Sequence, residues 1–430
     1  MKNVTYMKYG NTKLPICSDD YNILQIIKSS NYEVTKSEDD IIADALENPI
    51  DSARLRELVY PGQTVCLVIP DATRAWQKTH KYLSKIVDEL IAGGIQDSDI
   101  VFLSALGTHR PQTKEEHATL LGEDLKDRFT VIDHDCHDKS NLVYVGKTTY
   151  GTPVSINKLS LECDHVIITG AIIYHFLVGW SGGKKSLVPG IASYETIMAN
   201  HALSLNDNLG HGTHPNVRSG NIRSNPLHDD MLQAASFIRP TFMFNVIMGP
   251  DGNIAGAVAG NYISAHEAGR NLVDSIDGVD IKEKADVVIA SAGGYPKDIN
   301  LYQSIKTLIN AREAARDGGT IILISECREG IGGDSDIQDI ILNFDNLIDR
   351  EKSLRDRYSI SKFVGYYFCE TAEKFKLILV SELDPEILRN AKVTVVKDLN
   401  QALDMVYGEN TAKLKTHLMP QAANTLPKIP

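Results

Sequence analysis

The amino-acid sequence predicts an α/β protein with two domains, each built on a mainly parallel β-sheet flanked by helices. Three observations predict this fold class. The chain has 430 residues, more than the roughly 100–200 residues of an ordinary domain. Short apolar runs alternate with helical patterns along the chain. These runs are apolar throughout instead of at every second position, which is typical of strands covered on both faces.

The first half of the chain carries most of the predicted elements. The predicted strands are residues 64–71, 100–109, 129–135 and 164–173. Helices are predicted at 77–94, which ends in two glycines, and at 113–122. Thr113 is the predicted N-cap of the second helix, because Glu116 three residues later completes a capping box.

The same pattern restarts after a polar, helix-like stretch at 261–284. The elements predicted there are a strand at 285–294, a helix at 301–319 and a strand with a loop at 320–333. We therefore place the domain boundary near 270–284, with domains 1–275 and 276–430, and expect the active site in the cleft between them. The proline-rich end, "TLPKIP", is predicted to fray or to pack back on the first domain as a strap.

Composition excludes several classes of protein. The net charge of -12 disfavours nucleic acid as a partner, because phosphate backbones are bound by basic surfaces. The N-terminus has no apolar signal region, and no apolar run is long enough to cross a membrane. The six cysteines are scattered without CxxC pairs, which favours reduced thiols over a disulfide framework. We expect a cytoplasmic protein.

Polar residues that directly follow apolar runs are the candidates for a functional site. In open α/β sheets the ligand crevice lies at the carboxyl ends of the strands. Segments of this kind are "PDATR", "GTHR", "IIYH" and "GGYPKD".

The stretch "HFLVGWSGGKKSLVPG", residues 175–190, looks at first like a phosphate-binding P-loop. The P-loop pattern is GxxxxGK[ST]. Here Val178 stands where the first glycine is required, and Ser186 comes one residue late. What remains is either a ligand-binding loop, in which glycines let the backbone approach a ligand closely, or a tight turn with two solvated lysines.

Several motifs in order, taken together, carry more information than this loop alone. They are "DATR" (71–74), "GTHR" (107–110), "H…SGGKKSLVPG" (175–190), His201 and "YQSIK" (302–306). On these motifs the chain resembles the lactate racemase family over roughly residues 10 to 330. The resemblance implies a racemase or epimerase that inverts the C2 centre of a 2-hydroxy acid. It also implies a nickel-pincer nucleotide, pyridinium-3,5-bisthiocarboxylic acid mononucleotide, linked covalently to a lysine.

The resemblance also assigns the cofactor ligands. In the family a catalytic histidine precedes the linked lysine by ten residues, and the nickel-binding histidine follows that lysine by sixteen. These spacings select His175, Lys185 and His201. Lys184 is then left to neutralise the cofactor phosphate, although the lysine doublet keeps both assignments open.

The remaining roles follow from the same resemblance. His109 and His175 are the expected catalytic bases, each beside the hydroxyl of one enantiomer. Arg74 is expected to grip the substrate carboxylate in a bidentate contact. It also joins Asp71, Ala72 and Thr73 in a cofactor-contact loop. Each residue has an ordinary alternative: the histidines as structural groups at strand ends, and Asp71 and Thr73 as helix caps.

Candidates also lie in the second domain. Gln303 and Lys306 are three residues apart on a predicted helix at 301–315, so they share one face. Both match cofactor contacts of the family, and Lys306 also matches a substrate contact. Tyr302 and Tyr366 are expected to contact the substrate. An ordinary alternative for Lys306 is a solvated surface lysine.

The implied reaction is hydride transfer from Cα of the substrate, through a planar 2-oxo acid, with return of the hydride to the other face. Implied partners are a small 2-hydroxy acid and the cofactor biosynthesis enzymes. An NAD-type dehydrogenase is the first alternative, but "SAGGYPKD" lacks the GxGxxG spacing. A non-catalytic relative on the same fold is the second alternative.

A competing metal site would be the cluster "DHDCHD" (133–138). It lacks the second half of a zinc site.

Overall fold

The computed structural model describes residues 3–30, 32–408 and 413–429. These residues divide into two compact units. The central unit is Asn31–Leu203 and Asn216–Ile276, and the flanking unit is Met1–Ser30, Ser204–Pro215 and Asp277–Pro430.

This division differs from simple halves of the chain. The predicted bounds, 1–275 and 276–430, place residues 1–30 and 204–215 in the first domain. In the structure both segments group with the C-terminal half instead.

The strands are numbered β1 to β20 along the chain. They are β1 (Val4–Tyr9), β2 (Thr12–Cys17), β3 (Asn22–Ile26), β4 (Val65–Pro70), β5 (Ile100–Ala105), β6 (Val131–Asp133), β7 (Leu142–Lys147), β8 (Pro153–Asn157), β9 (His165–Ala171), β10 (Tyr174–His175), β11 (Gly179–Trp180), β12 (Phe242–Met248), β13 (Ile254–Gly260), β14 (Gly278–Asp280), β15 (Ala285–Ser291), β16 (Ala315–Ile324), β17 (Lys376–Val380), β18 (Thr394–Val396), β19 (Lys415–Met419) and β20 (Leu426–Lys428).

The α-helices are numbered in the same way. They are α1 (Glu38–Glu47), α2 (Leu55–Leu58), α3 (Thr79–Ala92), α4 (Lys114–Leu121), α5 (Leu159–Glu162), α6 (Tyr194–Ala202), α7 (Pro226–Ile238), α8 (Ser264–Asp277), α9 (Leu301–Ala314), α10 (Ser335–Leu342), α11 (Leu347–Asp356), α12 (Ile360–Lys374) and α13 (Leu399–Tyr407). Short 3-10 helices lie at Ser18–Asp20, Ala72–Gln77, Asp97–Asp99, Lys139–Asn141, Gly183–Ser186 and Pro385–Ala391.

The central unit is built on a sheet with strand order β13-β12-β9-β4-β5-β6. Its neighbouring strands are parallel except for the antiparallel pair β12 and β13. Every residue of β4 is buried, which confirms that this continuous apolar run is a strand covered on both faces. Because β4 and β5 are parallel neighbours, the residues that follow them emerge at the same edge of the sheet.

The flanking unit contains a parallel sheet of its own, with strand order β18-β17-β16-β15-β19-β3. Its apolar core includes Val287, Ile289, Ile322, Ile378 and Leu418, which are buried side chains of the middle strands. The predicted α/β class with mainly parallel sheets flanked by helices is therefore confirmed.

Three predictions are wrong because the strand pairing they missed joins residues that are distant in the chain. The helix predicted at 301–319 ends at Ala314, since Ala315 pairs with Ala285 and begins β16. The helix-like stretch 261–284 ends at Asp277, and β14 follows it. The segment 426–428 of "TLPKIP" is not frayed but forms β20, which pairs with β14 inside the flanking unit.

The capping prediction for α4 is confirmed. The Thr113 hydroxyl accepts the backbone N–H of Glu116, and the Glu116 carboxylate accepts the backbone N–H of Thr113. Among the described residues, no helix is long and apolar enough to cross a membrane.

Candidate active site

Asp71 and His109 form a hydrogen-bonded pair at the carboxyl edge of the central sheet. Asp71 directly follows β4, and His109 lies in the loop after β5. His109 Nδ1 lies 2.8 Å from Asp71 Oδ2. Burial alone would raise the pKa of Asp71, but hydrogen bonds from His109 and Thr73 outweigh it and hold that pKa below its usual value. An ionised carboxylate only accepts, so His109 donates from Nδ1 and its neutral ring carries the lone pair on Nε2.

The other oxygen of Asp71 organises the loop that follows. Asp71 Oδ1 accepts the backbone N–H of Thr73 at 2.7 Å and also the Thr73 hydroxyl. The predicted capping role of Asp71 is therefore present, on the 3-10 helix Ala72–Gln77. Arg74 is exposed and donates from Nη1 to the Thr73 hydroxyl at 3.1 Å.

The glycine-rich stretch forms a tight loop that is not a P-loop. Gly182 and Gly183 have φ of 76° and 54°, a left-handed backbone that favours glycine. A Cβ on Gly183 would lie 2.9 Å from the His266 ring. Asn245 accepts the Gly183 N–H at 2.7 Å, and Gly183–Ser186 then forms a 3-10 turn. The loop presents two adjacent lysines to different surroundings.

Lys185 faces His175. Its Nζ lies 3.0 Å from His175 Nε2, while His175 Nδ1 accepts the backbone N–H of Leu177 at 3.2 Å. A neutral imidazole that accepts at Nδ1 carries its proton on Nε2. The amine of Lys185 must then accept that proton in a hydrogen bond, which requires an unprotonated amine. Burial, followed by the charge of Arg74, lowers the pKa of Lys185 to about 7, in agreement with this geometry.

His201 lies on α6 and is buried. Its Nδ1 donates to the Ile197 carbonyl at 2.9 Å, one helical turn earlier. Burial and the charge of Lys185 lower the pKa of His201 to about 3. The ring is therefore neutral and carries a lone pair on Nε2. A histidine whose other nitrogen donates to a backbone carbonyl is the usual arrangement of a metal ligand.

Lys184 is buried, and its charged neighbours differ from those of Lys185. Burial, and then the charges of Arg270 and Lys185, lower the pKa of Lys184 to about 7. Burial, and then the charge of Lys184, lower the pKa of His228 and of His266. Only Lys185 of the doublet is hydrogen-bonded to a predicted catalytic histidine.

The structure thus brings the predicted residues of the central unit together. Asp71, Thr73, Arg74 and His109 form one hydrogen-bonded group, and His175 and Lys185 form another. The charge of Arg74 lowers the pKa of both Asp71 and Lys185. Ala72 lies in the same loop, and its backbone N–H donates to Gln112 Oε1 at 2.6 Å.

Gln303 and Lys306 lie on α9 of the flanking unit, as does Tyr302. Lys306 Nζ donates to Gln303 Oε1 at 3.0 Å, so the predicted shared face is observed. The Asn300 side chain caps the helix by accepting the Gln303 N–H. The binding roles of these residues stay predictions.

Tyr366 is 1% exposed, inside the flanking unit. Its hydroxyl donates to Glu351 Oε2 at 3.3 Å, and the same oxygen accepts the N–H groups of Gly210 and Gly212. Phe363 and Tyr367, its aromatic neighbours on α12, are also buried. The contacts of Tyr366 are therefore internal to the fold, and its substrate role stays a prediction.

The histidines of "DHDCHD" have ordinary structural contacts. His134 is buried between the Ala192 carbonyl and the Asn157 amide, which hydrogen-bond its two ring nitrogens. His137 stacks on Tyr194. Sequence reasoning missed Gln112, although its position just after "GTHRP" and the presence of Asp133 in the predicted strand 129–135 were available signals.

Comparisons with known proteins identify the family of the chain. The lactate racemase N-terminal domain matches residues 9–212, and the lactate racemase C-terminal domain matches residues 280–425. A lactate racemase of Lactiplantibacillus plantarum is 31% identical over 96% of both chains. One of Thermoanaerobacterium thermosaccharolyticum is 33% identical over 97% of both.

Solved structures extend the comparison to the fold. The lactate racemase apoprotein from Thermoanaerobacterium thermosaccharolyticum matches with a TM-score of 0.89 and 32% identity, covering 99% of this chain and 100% of that one. A protein from Thermotoga maritima, at 17% identity over 93% of this chain and 100% of its own, shares the fold with a TM-score of 0.64. The chain belongs to the lactate racemase family, a family of isomerases.

Proposed function

We propose that this protein interconverts the two enantiomers of lactate or a related small 2-hydroxy acid by hydride transfer, using a nickel-pincer nucleotide linked to Lys185. The observation that carries the proposal is the 3.0 Å contact between Lys185 Nζ and His175 Nε2. With its pKa lowered to about 7, the amine has a substantial unprotonated fraction at neutral pH, and this fraction is a nucleophile. The relatives named lactate racemase support this class of substrate.

The residues present fit the proposed cofactor. Lys185 offers a reactive amine for the covalent link. His201 offers a neutral imidazole nitrogen whose orientation is fixed by the Ile197 carbonyl, and imidazole suits nickel. When bound, the cofactor would supply an acceptor and donor of the substrate hydride. The surrounding loop, with Asp71, Ala72, Thr73 and Arg74, would hold its nucleotide part.

The two histidines would handle the hydroxyl proton of the substrate. His109 carries a lone pair on Nε2 and is backed by the Asp71 carboxylate, so it is prepared to accept a proton and to hold it as an imidazolium. His175 would serve the opposite enantiomer, once its Nε2 no longer contacts a lysine amine. Loss of the hydroxyl proton together with the Cα hydride converts the 2-hydroxy acid into a planar 2-oxo acid. The same site can then return a hydride to the other face of that intermediate.

Arg74 would bind the substrate carboxylate, since it is an exposed cation close to both histidine groups. Gln303, Lys306, Tyr302 and Tyr366 complete the proposed contacts. Cofactor biosynthesis enzymes are the proposed protein partners. A cytoplasmic location is also proposed, supported by the six cysteines, all of which lie in described positions and are free thiols.

The test is to co-express the chain with the pincer biosynthetic enzymes and to measure its peptide masses and bound nickel. Lys185→Met and Lys184→Met make a matched pair of adjacent substitutions. We expect the cofactor mass on residue 185 in the wild type and in Lys184→Met, and neither adduct nor retained nickel in Lys185→Met. The loaded wild type should then racemise at least one acid of a chiral 2-hydroxy acid panel.

Unmodified Lys185, in cells that load a known family member, would overturn the cofactor proposal. An adduct on residue 184 would overturn the assignment of the two lysines.

A further inference from the structure

Gln112 connects the loop of Asp71 to the body of the central unit. Its Oε1 accepts the backbone N–H of Ala72 at 2.6 Å. Its Nε2 donates to Ser104 Oγ at 2.9 Å and to Asp133 Oδ1 at 2.7 Å. Both hydrogens of the amide nitrogen are therefore used, and the amide cannot rotate without losing three hydrogen bonds.

The anchors of Gln112 lie on regular elements. Ser104 is fully buried in β5, and Asp133 is the last residue of β6. Asp133 also accepts the backbone N–H of Gln112 at 2.6 Å and contacts His117 Nε2, on α4, at 2.9 Å. Side chains held by rigid elements and by second hydrogen bonds position a site more precisely than loop residues do.

The loop that Gln112 holds is the one that orients the carboxylate beside His109. Ala72 stands between Asp71 and Thr73, and Asp71 itself accepts the neighbouring Thr73 N–H. The Ala72 N–H is thus bound by Gln112, and the Thr73 N–H by Asp71. Together these bonds fix the backbone from which the Asp71 carboxylate reaches His109 Nδ1.

We infer that Gln112 is a positioning residue that holds Asp71 in the orientation required to bind and polarise His109. The inference rests on the proposed role of His109 as a base, but the geometry it claims exists in the protein before any cofactor is bound. A carboxylate that accepts at Nδ1 selects the ring tautomer with its proton on that nitrogen. Loosening Asp71 should therefore allow the other tautomer, with the proton on Nε2.

The first experiment measures the ring ¹⁵N shifts of the apoprotein with ¹⁵N-labelled histidine at alkaline pH, because these shifts report the tautomer of a neutral ring. The His109 signals are assigned by their loss in His109→Gln. We expect Gln112→Met to move them from the pattern of a ring protonated on Nδ1 toward that of a ring protonated on Nε2, in the same direction as Asp71→Asn. The matched control is Gln233→Met, because Gln233 Oε1 also accepts a backbone N–H, that of Thr149, at 2.9 Å, and no hydrogen bond among the described residues joins Gln233 to a predicted site residue. It should leave the His109 tautomer unchanged.

The second experiment is a double-mutant cycle on the loaded enzyme. We expect Gln112→Met to lower kcat/KM by about 10-fold or more in the wild-type background. In the Asp71→Asn background the same substitution should lower kcat/KM only slightly, because the effects of substitutions at residues that act through one another are not additive. A merely structural residue would give the same loss in both backgrounds.

Two results would overturn the inference: an unchanged His109 tautomer in folded Gln112→Met, or equal losses in both backgrounds. If Gln112→Met does not fold, Asp133→Asn replaces it, since it keeps Gln112 but removes an oxygen that anchors it. Asp133→Asn should shift the His109 tautomer in the same direction. The NMR measurement uses apoprotein, so it decides the inference even if the proposed function fails.

Discussion

The two predicted catalytic histidines are held in opposite ways. His109, at the edge of the central sheet, donates from Nδ1 to the Asp71 carboxylate and carries its lone pair on Nε2. His175, before the glycine loop, accepts a backbone N–H at Nδ1 and presents its proton on Nε2 to Lys185. One ring is thus prepared to take a proton, and the other donates one in the apoprotein.

This difference indicates that one site can serve both enantiomers with two histidines whose hydrogen-bond partners differ. A racemase needs a proton acceptor on each side of the substrate, and the acceptor on one side is the donor for the reverse reaction. The tautomer of His109 is set by the Asp71 carboxylate, which is present with or without cofactor. The tautomer of His175 depends on its contact with Lys185, so we expect it to change when that amine is converted to a thioamide.

The largest expected effect is loss of either ring. His109→Gln and His175→Gln should each lower kcat/KM by about 10³-fold, within the range of general acid–base catalysis. Both variants should still carry the cofactor on residue 185, because Lys185 is intact. The measurement is a chiral assay of loaded protein with nickel content as the control. Activity near wild type in either variant would show that the ring is not a base.

The next effect concerns the carboxylate alone. Asp71→Asn should lower kcat/KM by about 10²-fold, because an amide neither stabilises the His109 imidazolium nor fixes its tautomer. Asp71→Asn should also let the neutral His109 ring adopt the tautomer with its proton on Nε2, as read by ring ¹⁵N shifts. An unchanged tautomer would contradict the role of Asp71 in orienting His109.

Much of this arrangement could be predicted from the sequence, because the signals are local. The apolar run of β4 predicted a covered parallel strand, and the polar residues after β4 and β5 predicted the edge at which Asp71 and His109 meet. The resemblance to the family, through its spacing of histidines and lysine, selected Lys185. The structure supplies the orientation that spacing does not contain: Lys185 points to His175, whereas Lys184 is buried among Arg270, His228 and His266.

The features that the sequence did not predict depend on contacts between residues that are far apart in the chain. The pairing of β14 with β20 joins residues near 279 and 427, so no local pattern revealed it. Gln112 meets Ala72 across 40 positions. The burial of Tyr366 depends on Glu351 and on the Gly210–Gly212 segment, which is distant in the chain.

A third prediction separates Lys185 from exposed lysines by its chemistry. Because the pKa of Lys185 is lowered to about 7, its unprotonated fraction rises as pH rises through 7, whereas exposed lysines titrate near 10.4. Trace acylation of the apoprotein, followed by peptide mass analysis, should give residue 185 a labelling midpoint near 7. His175→Gln should alter that midpoint, and His109→Gln should not. Labelling of Lys185 like a surface lysine would contradict its assigned environment.

The smallest expected effect is on stability. Lys184 is buried, and its pKa is lowered to about 7 in the folded protein, while the unfolded chain keeps the ordinary value. Between these values the unfolded state binds the extra proton, so folding stability rises with pH. Lys184→Met should therefore raise the free energy of unfolding by about 1–3 kcal/mol at pH 6 and by less at pH 9. Denaturant unfolding at both pH values measures this, and a larger gain at pH 9 would contradict it.

The most direct test of the central claim is racemisation by the loaded enzyme in D₂O. Hydride transfer keeps the original hydrogen on C2, whereas proton abstraction from C2 exchanges it with solvent. We predict an inverted product that carries hydrogen, not deuterium, at C2 after a single turnover, as read by mass spectrometry of the separated enantiomers. One deuterium at C2 for each inversion would contradict the account.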